Sequence, residues 1–388
     1  MMKIGIDKLG FYTSEFYIDM AKLAQARGED PNKYLIGLGQ EKMAAVPPTQ
    51  DAVTLAANAA AGVLDDSDRE QISFVILATE SGIDNSKAGA IYVADLLGLK
   101  KNIRTLEVKQ ACYSATAALQ LARGYISLHP TEKVLVIASD IARYGLQTKG
   151  EPTQGGGAVA ILMSAEPRLV AFDADSAFYS ENVMDFWRPL GNDTALVDGH
   201  YSTNIYLDLL NKTFQDYQAQ NGYQLDDFAG FTFHLPFTKQ GKKGMQALLA
   251  AHASQKAEYF MEMFEVSRQY NKQVGNLYTG SLYLSLLSLL ENSSQLQAGD
   301  RLGLYSYGSG AVGEFYSVTV QPGFRKWLQK QEHQQLLNHR REVTITTYEK
   351  MFTEAVVDGT DRKLDTTADH ARFVLAGVKD HKRVYLSH

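Results

Sequence analysis

The single cysteine of this 388-residue chain is the obvious candidate for a catalytic nucleophile. Cys112 follows the alternating segment 106–110 and precedes a run of small and apolar residues that reaches Ile126. This pattern predicts a strand that leads into a helix buried on every face, with Cys112 at the helix N-terminus. The unpaired amides and the dipole there favour a thiolate, so we expect the pKa of the thiol to fall below about 8.5. The alternative is an inert buried cysteine, a common state of free cysteines.

A histidine and an asparagine are candidate partners of Cys112. His234 ends the apolar segment 231–233 just before Leu235 and a proline, at a strand end of the kind where parallel sheets gather active sites. Asn276 precedes a second helix of small and apolar residues, although an Asn beside Gly is also a common turn former and cap. Together they could supply a thiolate nucleophile, a hydrogen-bonding imidazole and an amide that completes the site.

Glu80 and a group of lysines add acid–base and anion-binding chemistry. Glu80 follows the buried strand predicted at 73–79, and a positioned carboxyl group that moves protons is typically worth about 10²–10⁴ in rate. A simple cysteine hydrolase would not need it. Three lysines occupy the segment 239–243, shortly after His234, on a chain of net charge -6. Lysine suits phosphate as a mobile point charge, although solvated surface lysines are an equal alternative.

Composition limits the class of protein. A hydrophobic fraction of 45% and a charged fraction of 21% are typical of an ordinary globular protein, and the negative net charge argues against a nucleic-acid surface. One cysteine permits no internal disulfide and no cysteine-based zinc site, which fits a reducing compartment. The apolar runs are too short for a signal peptide or a membrane span. We therefore expect a cytoplasmic protein that binds neither nucleic acid nor membrane.

Strands and helices alternate along the first part of the chain. Buried strands are predicted at 73–79, 133–140 and 155–162, and helices at 51–64 and 86–97. This α/β alternation favours parallel sheets covered by helices.

A glycine-rich turn that enters a strand occurs twice. It stands at 155–157 and again at 308–310, which is 153 positions later and the length of a domain. Each copy follows a helix of small and apolar residues. The repeat predicts two halves of one architecture, 1–166 and 167–388.

Within the second half, the segment 176–206 is rich in Trp, Phe, Asp and Gly and is predicted to be an inserted loop region that lines a cleft. The charged segment 326–341 is predicted to be helical, and the sequence assigns little after Val343.

These residues and their surroundings resemble the bacterial 3-hydroxy-3-methylglutaryl-coenzyme A synthases of the mevalonate pathway. The motifs that carry the resemblance lie at 36–40, 78–81, 111–113, 151–155, 185–189, 197–199, 233–237 and 305–310. The resemblance covers most of the chain and implies a thiolase-like fold. In that fold two similar halves form an α-β-α-β-α five-layer sandwich, normally as a homodimer.

The resemblance also implies a role for each candidate residue. Cys112 would take an acetyl group from acetyl-CoA, and Glu80 would then remove a methyl proton. The resulting enolate equivalent would attack the ketone of acetoacetyl-CoA, with His234 orienting and protonating that carbonyl. By the same resemblance Thr153, Ser202, His234, Asn276 and Ser309 contact the acyl part of the second substrate, Asp30 lies nearby, Lys239 and Lys243 hold the CoA phosphates, and Tyr144 and Asp185 surround the acetyl pocket. No cofactor or metal is implied, since the CoA thioesters are substrates.

Three positions depart from the family pattern. Leu190 stands where a polar residue is expected, Lys149 where animal members have an asparagine, and Ser114 where a Gly or Ala is usual. They bear on substrate affinity and rate more than on the class of reaction.

Two alternatives stay open at this point. A condensing enzyme of the ketoacyl-synthase III type shares the Cys, His, Asn order, but Glu80 and the region around Asp185 argue against it. A non-catalytic acyl-CoA-binding protein of the same fold is the other, and the presence of both Cys112 and Glu80 argues against that.

Overall fold

The computed structural model describes residues 2–388 and, for Ala174, the backbone alone. The strands are β1 (Gly5–Thr13), β2 (Phe16–Asp19), β3 (Lys42–Ala44), β4 (Ile72–Ala78), β5 (Arg104–Val108), β6 (Lys133–Ala142), β7 (Gly155–Ser164), β8 (Val170–Ser180), β9 (Phe186–Trp187), β10 (Leu196–Val197), β11 (Gly230–Phe233), β12 (Arg301–Gly308), β13 (Val312–Val320), β14 (Arg341–Glu342), β15 (Arg362–Lys363), β16 (Phe373–Lys379) and β17 (Lys382–Ser387). The α-helices are α1 (Met20–Ala26), α2 (Ala52–Val63), α3 (Asp66–Gln71), α4 (Gly89–Leu96), α5 (Ser114–Leu128), α6 (Gly199–Asn221), α7 (Thr238–Ala251), α8 (Ala257–Ser267), α9 (Gln269–Val274), α10 (Ser281–Asn292), α11 (Lys330–Asn338) and α12 (Ile345–Thr353). Short π or 3-10 turns lie at Lys33–Leu38, Glu151–Thr153, Leu225–Asp227, Tyr278–Gly280 and Phe324–Trp327.

The two halves of the chain share the topology of four strands, and the first half has β5 as an additional edge strand. A nine-stranded sheet has the order β11-β12-β13-β8-β1-β7-β6-β4-β5. In the first half, β1 and β6 both run antiparallel to β7, and β4 runs parallel to β6. The second half repeats this with β8 and β12 antiparallel to β13 and with β11 parallel to β12. Among residues 2–388, two residue pairs between β1 and β8 join the half-sheets. The repeated strand pairing shows that the predicted repeat is present in the fold. The boundary at 166/167 stays a prediction.

Side chains alternate between two cores along each half-sheet. On β7, Val159 and Ile161 face a central core that contains α5 and α10, whereas Ala160 faces an outer core beneath α2 and α4. On β12, Leu304 faces the same central core and Tyr305 faces an outer aromatic core beneath α6 and α7. Because both faces of these strands are covered, their sequences are continuously apolar. The result is the predicted α-β-α-β-α sandwich.

The two central helices differ in how fully they are covered. Residues 281–291 of α10 are all buried. On α5, Leu121 and Leu128 are 50% and 78% exposed, so the prediction that this helix is buried on every face was wrong. The helix packs on β6 and β4 with one side, and its other side carries apolar residues at the protein surface.

The predicted loop region 176–206 is shorter in the structure. Residues 176–180 belong to β8 because they pair with β13, from Ser176 with Tyr316 to Ser180 with Val312. At the other end α6 already begins at Gly199, capped by Asp198. The insertion is therefore 181–198, with the two-residue strands β9 and β10 inside it.

The C-terminal segment has regular structure after Val343, where the sequence pattern assigned little. α11 confirms the helix predicted within 326–341, and α12 and a three-stranded sheet of β15, β16 and β17 follow it. Both backbone polar groups of Phe373 on β16 bond the side chain of Asn58 on α2, at 2.9 and 3.0 Å, which docks the tail on the first half. Among residues 2–388, no helix has the length and apolarity that a membrane crossing requires.

Candidate active site

The predicted nucleophile and the predicted base are in contact. β4 and β5 are parallel neighbours, so the segments that follow their carboxyl ends meet at one edge of the sheet. Glu80 lies two residues after β4, and Cys112 lies two residues before α5. The Cys112 thiol donates a hydrogen bond to Glu80 Oε1, with an Sγ to Oε1 distance of 3.0 Å. We call these two groups the thiol–carboxyl pair.

The turn that presents Cys112 is strained and braced. Ala111 has a φ of +44°, a left-handed conformation that costs a non-glycine residue on the order of 1–3 kcal/mol. Ser114 Oγ donates to the Ala111 carbonyl at 2.7 Å and accepts from the Gln110 amide at 2.5 Å. A Gly or Ala at position 114 would have no hydroxyl to make these bonds, so Ser114 stabilises the turn around Cys112.

The ionisation of the pair differs from the sequence prediction. Burial, followed by the adjacent Glu80 carboxylate, raises the pKa of the Cys112 thiol well above its usual value, so the predicted fall was wrong. Burial, followed by the charge of Asp140, also raises the pKa of Glu80 from 4.5 to about 8, while the thiol hydrogen bond and Arg188 oppose that rise. The thiol therefore keeps its proton near neutral pH, and Glu80 can receive that proton only when its own carboxyl group is ionised.

Asp140 is a site residue that the sequence analysis missed. Its side chain is fully buried on β6. One carboxylate oxygen accepts from Thr79 Oγ1 (3.0 Å), the Glu80 amide (2.7 Å) and Ser81 Oγ (2.9 Å), and the other accepts from Thr279 Oγ1 (2.7 Å). Asp140 thus fixes the backbone of Glu80 and ties it to the second half. The sequence pattern could have identified Asp140, because it is a carboxylate near the end of a buried strand, the same feature that identified Glu80.

His234 and Asn276 contribute buried polar atoms that lack partners. His234 follows β11 as predicted, and burial lowers the pKa of its imidazole to about 3, which keeps it neutral. Within the part of the chain that the structure describes, His234 Nδ1, Asn276 Nδ2 and the Tyr278 hydroxyl are buried with no partner at hydrogen-bond distance and angle. Asn276 and Tyr278 still lie close enough to the Tyr144 hydroxyl to affect its pKa, so His234 Nδ1 is the clearest of the three unpartnered atoms. Buried polar atoms are normally paired, so three such atoms in this region indicate where a polar ligand binds.

The β12–β13 turn brings Ser309 against the Cys112 segment. Gly308 has no room for a side chain, because a Cβ there would lie 2.6 Å from both the Gln110 carbonyl oxygen and the Tyr113 amide nitrogen. Gln110 Nε2 donates to the Ser309 carbonyl at 3.3 Å. His234 reaches the same edge from the neighbouring strand, since its amide donates to Tyr305 on β12 at 2.9 Å.

Asp185 and Ser202 are hydrogen-bonded to each other within one polar cluster. Asp185 is fully buried and accepts from Ser202 Oγ (3.0 Å), the Tyr307 hydroxyl (2.6 Å) and the Gly310 amide (2.9 Å). Its charge contributes to the raised pKa of the Cys112 thiol, which places it near the nucleophile as predicted.

Tyr144 lies beside the thiol–carboxyl pair. Burial raises the pKa of its hydroxyl, and the charges of that pair add to the rise. Its ring packs edge-on against Phe186 at 5.9 Å and Tyr278 at 6.1 Å between centroids. Thr153, at the end of the same loop, uses its hydroxyl to bond the Gly150 carbonyl at 2.8 Å, which leaves a lone pair for a substrate.

Lys239, Lys243 and Asp30 are closer to the protein surface than the thiol–carboxyl pair is. Lys239 and Lys243 are four residues apart near the start of α7, on one partly exposed face. Thr238 Oγ1 bonds the Leu38 carbonyl at 2.8 Å, so the segment 30–39 flanks this end of the helix. Asp30 is exposed and accepts from the amide of Asn32, at the surface rather than in the thiol–carboxyl pair. Leu190, 89% exposed, and Lys149 are also at the surface.

Comparison with known proteins identifies the family. The family model for the N-terminal part of hydroxymethylglutaryl-coenzyme A synthase matches residues 1–167, and the model for the C-terminal part matches 170–259 and 246–368. The chain belongs to the hydroxymethylglutaryl-CoA synthase family. A hydroxymethylglutaryl-CoA synthase of Enterococcus faecalis is 44% identical over 99% of this chain and 100% of its own length. A Bacillus subtilis polyketide-biosynthesis 3-hydroxy-3-methylglutaryl-ACP synthase is 33% identical over 91% of this chain and 88% of its own.

Solved structures of this family share the fold over the full chain. An HMG-CoA synthase complexed with CoA superposes with a TM-score of 0.96, is 45% identical and covers 100% of both chains. A protein named MvaS, in complex with 3-hydroxy-3-methylglutaryl coenzyme A, superposes with a TM-score of 0.89, is 37% identical and covers 99% of both chains. The thiolase-like fold and the acyltransferase class of the enzyme follow from these matches.

Proposed function

We propose that this chain condenses acetyl-CoA with acetoacetyl-CoA to give 3-hydroxy-3-methylglutaryl-CoA and free CoA, as a step of the mevalonate pathway. The observation that carries the proposal is the 3.0 Å contact between Cys112 Sγ and Glu80 Oε1. It joins a nucleophile to an acid–base group, and a condensation needs both. Membership of the hydroxymethylglutaryl-CoA synthase family favours this reaction over a ketoacyl-synthase activity.

The first stage is transfer of the acetyl group. Glu80 accepts the thiol proton, and the sulfur of Cys112 attacks the carbonyl carbon of acetyl-CoA. A new C–S bond forms, the bond to the CoA sulfur breaks, and CoA leaves with a proton. The amide of Cys112 is a candidate oxyanion donor, and a donor of this kind is typically worth about 10²–10³ in rate.

The second stage forms the carbon–carbon bond. The Glu80 carboxylate removes a methyl proton from acetyl-Cys112, and the enolate carbon attacks the ketone carbon of acetoacetyl-CoA. Because burial keeps His234 neutral, its N–H orients the ketone oxygen and stabilises the developing negative charge. The new alkoxide takes a proton from His234, and His234 regains one from protonated Glu80, which gives the tertiary hydroxyl group. Water then cleaves the Cys112 thioester, which releases the product and restores the thiol.

The remaining predicted residues would hold the substrates. The unpaired Nδ1 of His234 and Nδ2 of Asn276 suit the acyl part of acetoacetyl-CoA, with Thr153, Ser202 and Ser309 at its edges. Lys239 and Lys243 would bind the CoA phosphates, with Asp30 on the segment beside them. Acyl transfer of this kind needs no redox or metal cofactor, so we expect none.

We also propose that the enzyme is a cytoplasmic homodimer. β5 is an edge strand that pairs only with β4 among the described residues. Ile91 on α4, Leu106 on β5, and Leu121 and Leu128 on α5 are exposed around this edge, from 40% to 78%. An uncovered edge with apolar residues on both flanking helices favours association, and a second copy of the same edge is the simplest partner.

Mass spectrometry after mixing the protein with acetyl-CoA tests the proposal. We expect an acetyl adduct on the Cys112 peptide after acid quenching, and 3-hydroxy-3-methylglutaryl-CoA once acetoacetyl-CoA is added. Cys112→Ala, which removes one sulfur and keeps the surrounding contacts, should give neither while retaining its circular dichroism spectrum. A parent protein that binds acetyl-CoA without an adduct would instead be the non-catalytic binder, and product from Cys112→Ala at near parental rate would overturn the nucleophile assignment.

A further inference from the structure

We propose that Tyr348, on the C-terminal helix α12, is a positioning residue that holds Tyr144 beside the thiol–carboxyl pair by acting through Gln154. The inference rests on the proposed function, because it assigns a role in acetyl transfer. It gives α12, which lies in the segment that the sequence left without a role, a direct connection to the site.

A buried carboxamide makes the connection. Gln154 Oε1 accepts from the amides of Tyr144 at 2.7 Å and Gly145 at 3.1 Å. Gln154 Nε2 donates to the Tyr348 hydroxyl at 2.7 Å. Gln154 and Tyr348 are each only 3% exposed, so water cannot replace either bond easily. Two N–H donors at one end require the oxygen there, and the Tyr348 hydroxyl oxygen accepts at the other end, which fixes the orientation of the amide group.

The loop that carries Tyr144 depends on such external contacts. Gly145 and Gln147 have φ angles of +92° and +56°, so the backbone leaves regular structure immediately after Tyr144. Gly150 returns so closely that a Cβ on it would lie 2.7 Å from Tyr144 Cβ. A segment with this conformation is held by its partners rather than by its own ladder of hydrogen bonds.

A second connection joins α12 to the same loop. Arg27 forms two 2.8 Å hydrogen bonds with the buried carboxylate of Glu151 and a 2.7 Å ion pair with Glu349 on α12. Glu151 in turn accepts from the amide of Gln147 at 2.9 Å. The Tyr348 hydroxyl also interacts with the Glu151 carboxylate. In Tyr348→Phe, Glu151 keeps its bonds to Arg27 and to the amide of Gln147, whereas the Nε2 end of Gln154 loses its acceptor, so the Tyr144 end should loosen more than the far end and the loop should not unfold.

The expected consequence is kinetic. Tyr144 packs edge-on against Tyr278, and the charges of the thiol–carboxyl pair contribute to its raised pKa, so Tyr144 lies close to both groups. Displacement of Tyr144 should therefore change the wall of the acetyl pocket. Tyr348→Phe should slow acetylation of Cys112 by about three- to tenfold, as expected for one lost buried hydrogen bond. The KM for acetoacetyl-CoA should change less, because Thr153, the loop residue proposed to contact that substrate, adjoins the end of the loop that Arg27 and Glu151 hold.

The matched control is Tyr217→Phe. Tyr217 is fully buried, and its hydroxyl lies 2.7 Å from Ser317 Oγ in the outer aromatic core. Both variants lose one buried tyrosine hydroxyl and should have similar melting temperatures. Two quantities are measured in both variants: the rate of Cys112 acetylation by rapid quench, and the hydrogen exchange of the 143–154 peptide. Both should change only in Tyr348→Phe, in which the amides of Tyr144 and Gly145 should exchange faster.

A double-variant cycle tests the route through Gln154. Gln154→Leu keeps the size of the side chain and removes both ends of the connection, so adding Tyr348→Phe to it should not slow acetylation further. Equal acetylation and exchange in Tyr348→Phe and Tyr217→Phe, or full additivity in the double variant, would overturn the inference. Hydrogen exchange needs no substrate. A parent that is never acetylated would refute the proposed function and with it the kinetic role, whereas unchanged exchange in Tyr348→Phe would refute the brace itself.

Discussion

At the scale of single residues, the hydrogen bond from the Cys112 thiol to Glu80 is the central feature of the site. A helix N-terminus stabilises a nearby anion by about 0.3–1 kcal/mol, whereas burial of an incompletely compensated charge costs several kcal/mol. Here burial and the neighbouring carboxylate act in the same direction, and the thiol pKa rises. The nucleophile must therefore be activated by transfer of its proton to Glu80 rather than by resting as a thiolate.

Glu80→Gln should separate the two stages of the reaction. The amide oxygen can still accept the thiol hydrogen bond, but it can take neither the thiol proton nor a methyl proton. We therefore expect acetylation of Cys112 to slow but still occur, because water can take the thiol proton, while condensation falls by about a further 10²-fold. A rapid-quench comparison of acetylation and condensation measures this. Condensation at near parental rate would remove Glu80 as the base, and equal loss of both steps together with lower stability would indicate a structural role.

The raised pKa of Glu80 also predicts how stability changes with pH. The folded-state pKa of about 8 is above the ordinary 4.5, so the folded protein retains a proton that the unfolded chain releases between these values. The stability of the parent should therefore fall, relative to Glu80→Gln, as pH rises from 4.5 to 8, by on the order of 2–5 kcal/mol. Denaturant unfolding of both proteins at pH 5, 7 and 8.5 measures the difference. A difference that is constant with pH would contradict the shift.

At the scale of elements, the site forms where the ends of strands and the turns after them meet. Close contact between these backbone segments fixes the position of the reacting side chains. The clearest case is Gly308 at the end of β12, which touches the backbone on both sides of Cys112. The chain there is fixed from one side by β12 and from the other by α5. A side chain at position 308 has no flexible neighbour to displace.

Gly308→Ala should displace the Cys112 turn. The new Cβ would clash with backbone atoms of Gln110 and Tyr113 at 2.6 Å, so we expect acetylation to fall by about 10²-fold and stability by roughly 1–3 kcal/mol. Gly62→Ala is the control, because Gly62 is an exposed residue of α2 whose added Cβ meets nothing within 4 Å. Acetylation assays and thermal melts compare the two. Normal acetylation in Gly308→Ala would show that the turn tolerates a shift.

Two lysines on helix α7 are predicted to bind the phosphates of coenzyme A. Lys239→Ala and Lys243→Ala should each weaken binding of CoA thioesters, and added salt should weaken the parent by screening these exposed charges. Lys330→Ala, which removes an exposed lysine at the start of α11, is the charge-matched control. Calorimetric titration with CoA and 3′-dephospho-CoA measures the effect. Affinities equal to the control for both ligands would exclude a phosphate role for the two lysines.

At the scale of the whole molecule, the site is shared by the two halves. Asp140 bonds Thr279 of the second half, and the Tyr113 hydroxyl donates to the buried Glu314 on β13 at 2.6 Å. These contacts position Glu80 and Cys112, which belong to the first half, with groups from the second. Neither half on its own would present a complete site.

Leu106→Glu should disrupt the proposed dimer. The residue is 40% exposed on the edge strand β5, so the monomer should tolerate the change, whereas a charge at a paired edge costs association. Leu386→Glu, at a leucine that is 44% exposed on β17, is the control. Sedimentation velocity should show a dimer for the parent and the control and a monomer for Leu106→Glu. A dimer that survives this change would place the interface elsewhere.

Local pattern was enough to predict much of the fold and the reacting groups. Strands β4, β6 and β7, helix α2 with its Asp51 cap, and the position of His234 after β11 all follow from apolar periodicity and stop signals that act over a few residues. The repeated glycine turn predicted the paired halves. The types of the reacting residues were readable because a lone cysteine and a carboxylate at a buried strand end are rare.

The sequence by itself determined the candidate reacting residues and the order of the elements that carry them, whereas the tertiary structure decided their ionisation and their neighbours. The raised pKa of the Cys112 thiol depends on burial and on Glu80, which is 32 positions away. The role of Asp140, the limits of the 181–198 insertion, and the link from Tyr348 through Gln154 to Tyr144 depend on contacts between distant segments. Such contacts leave no local periodicity, so only the packed chain reveals them.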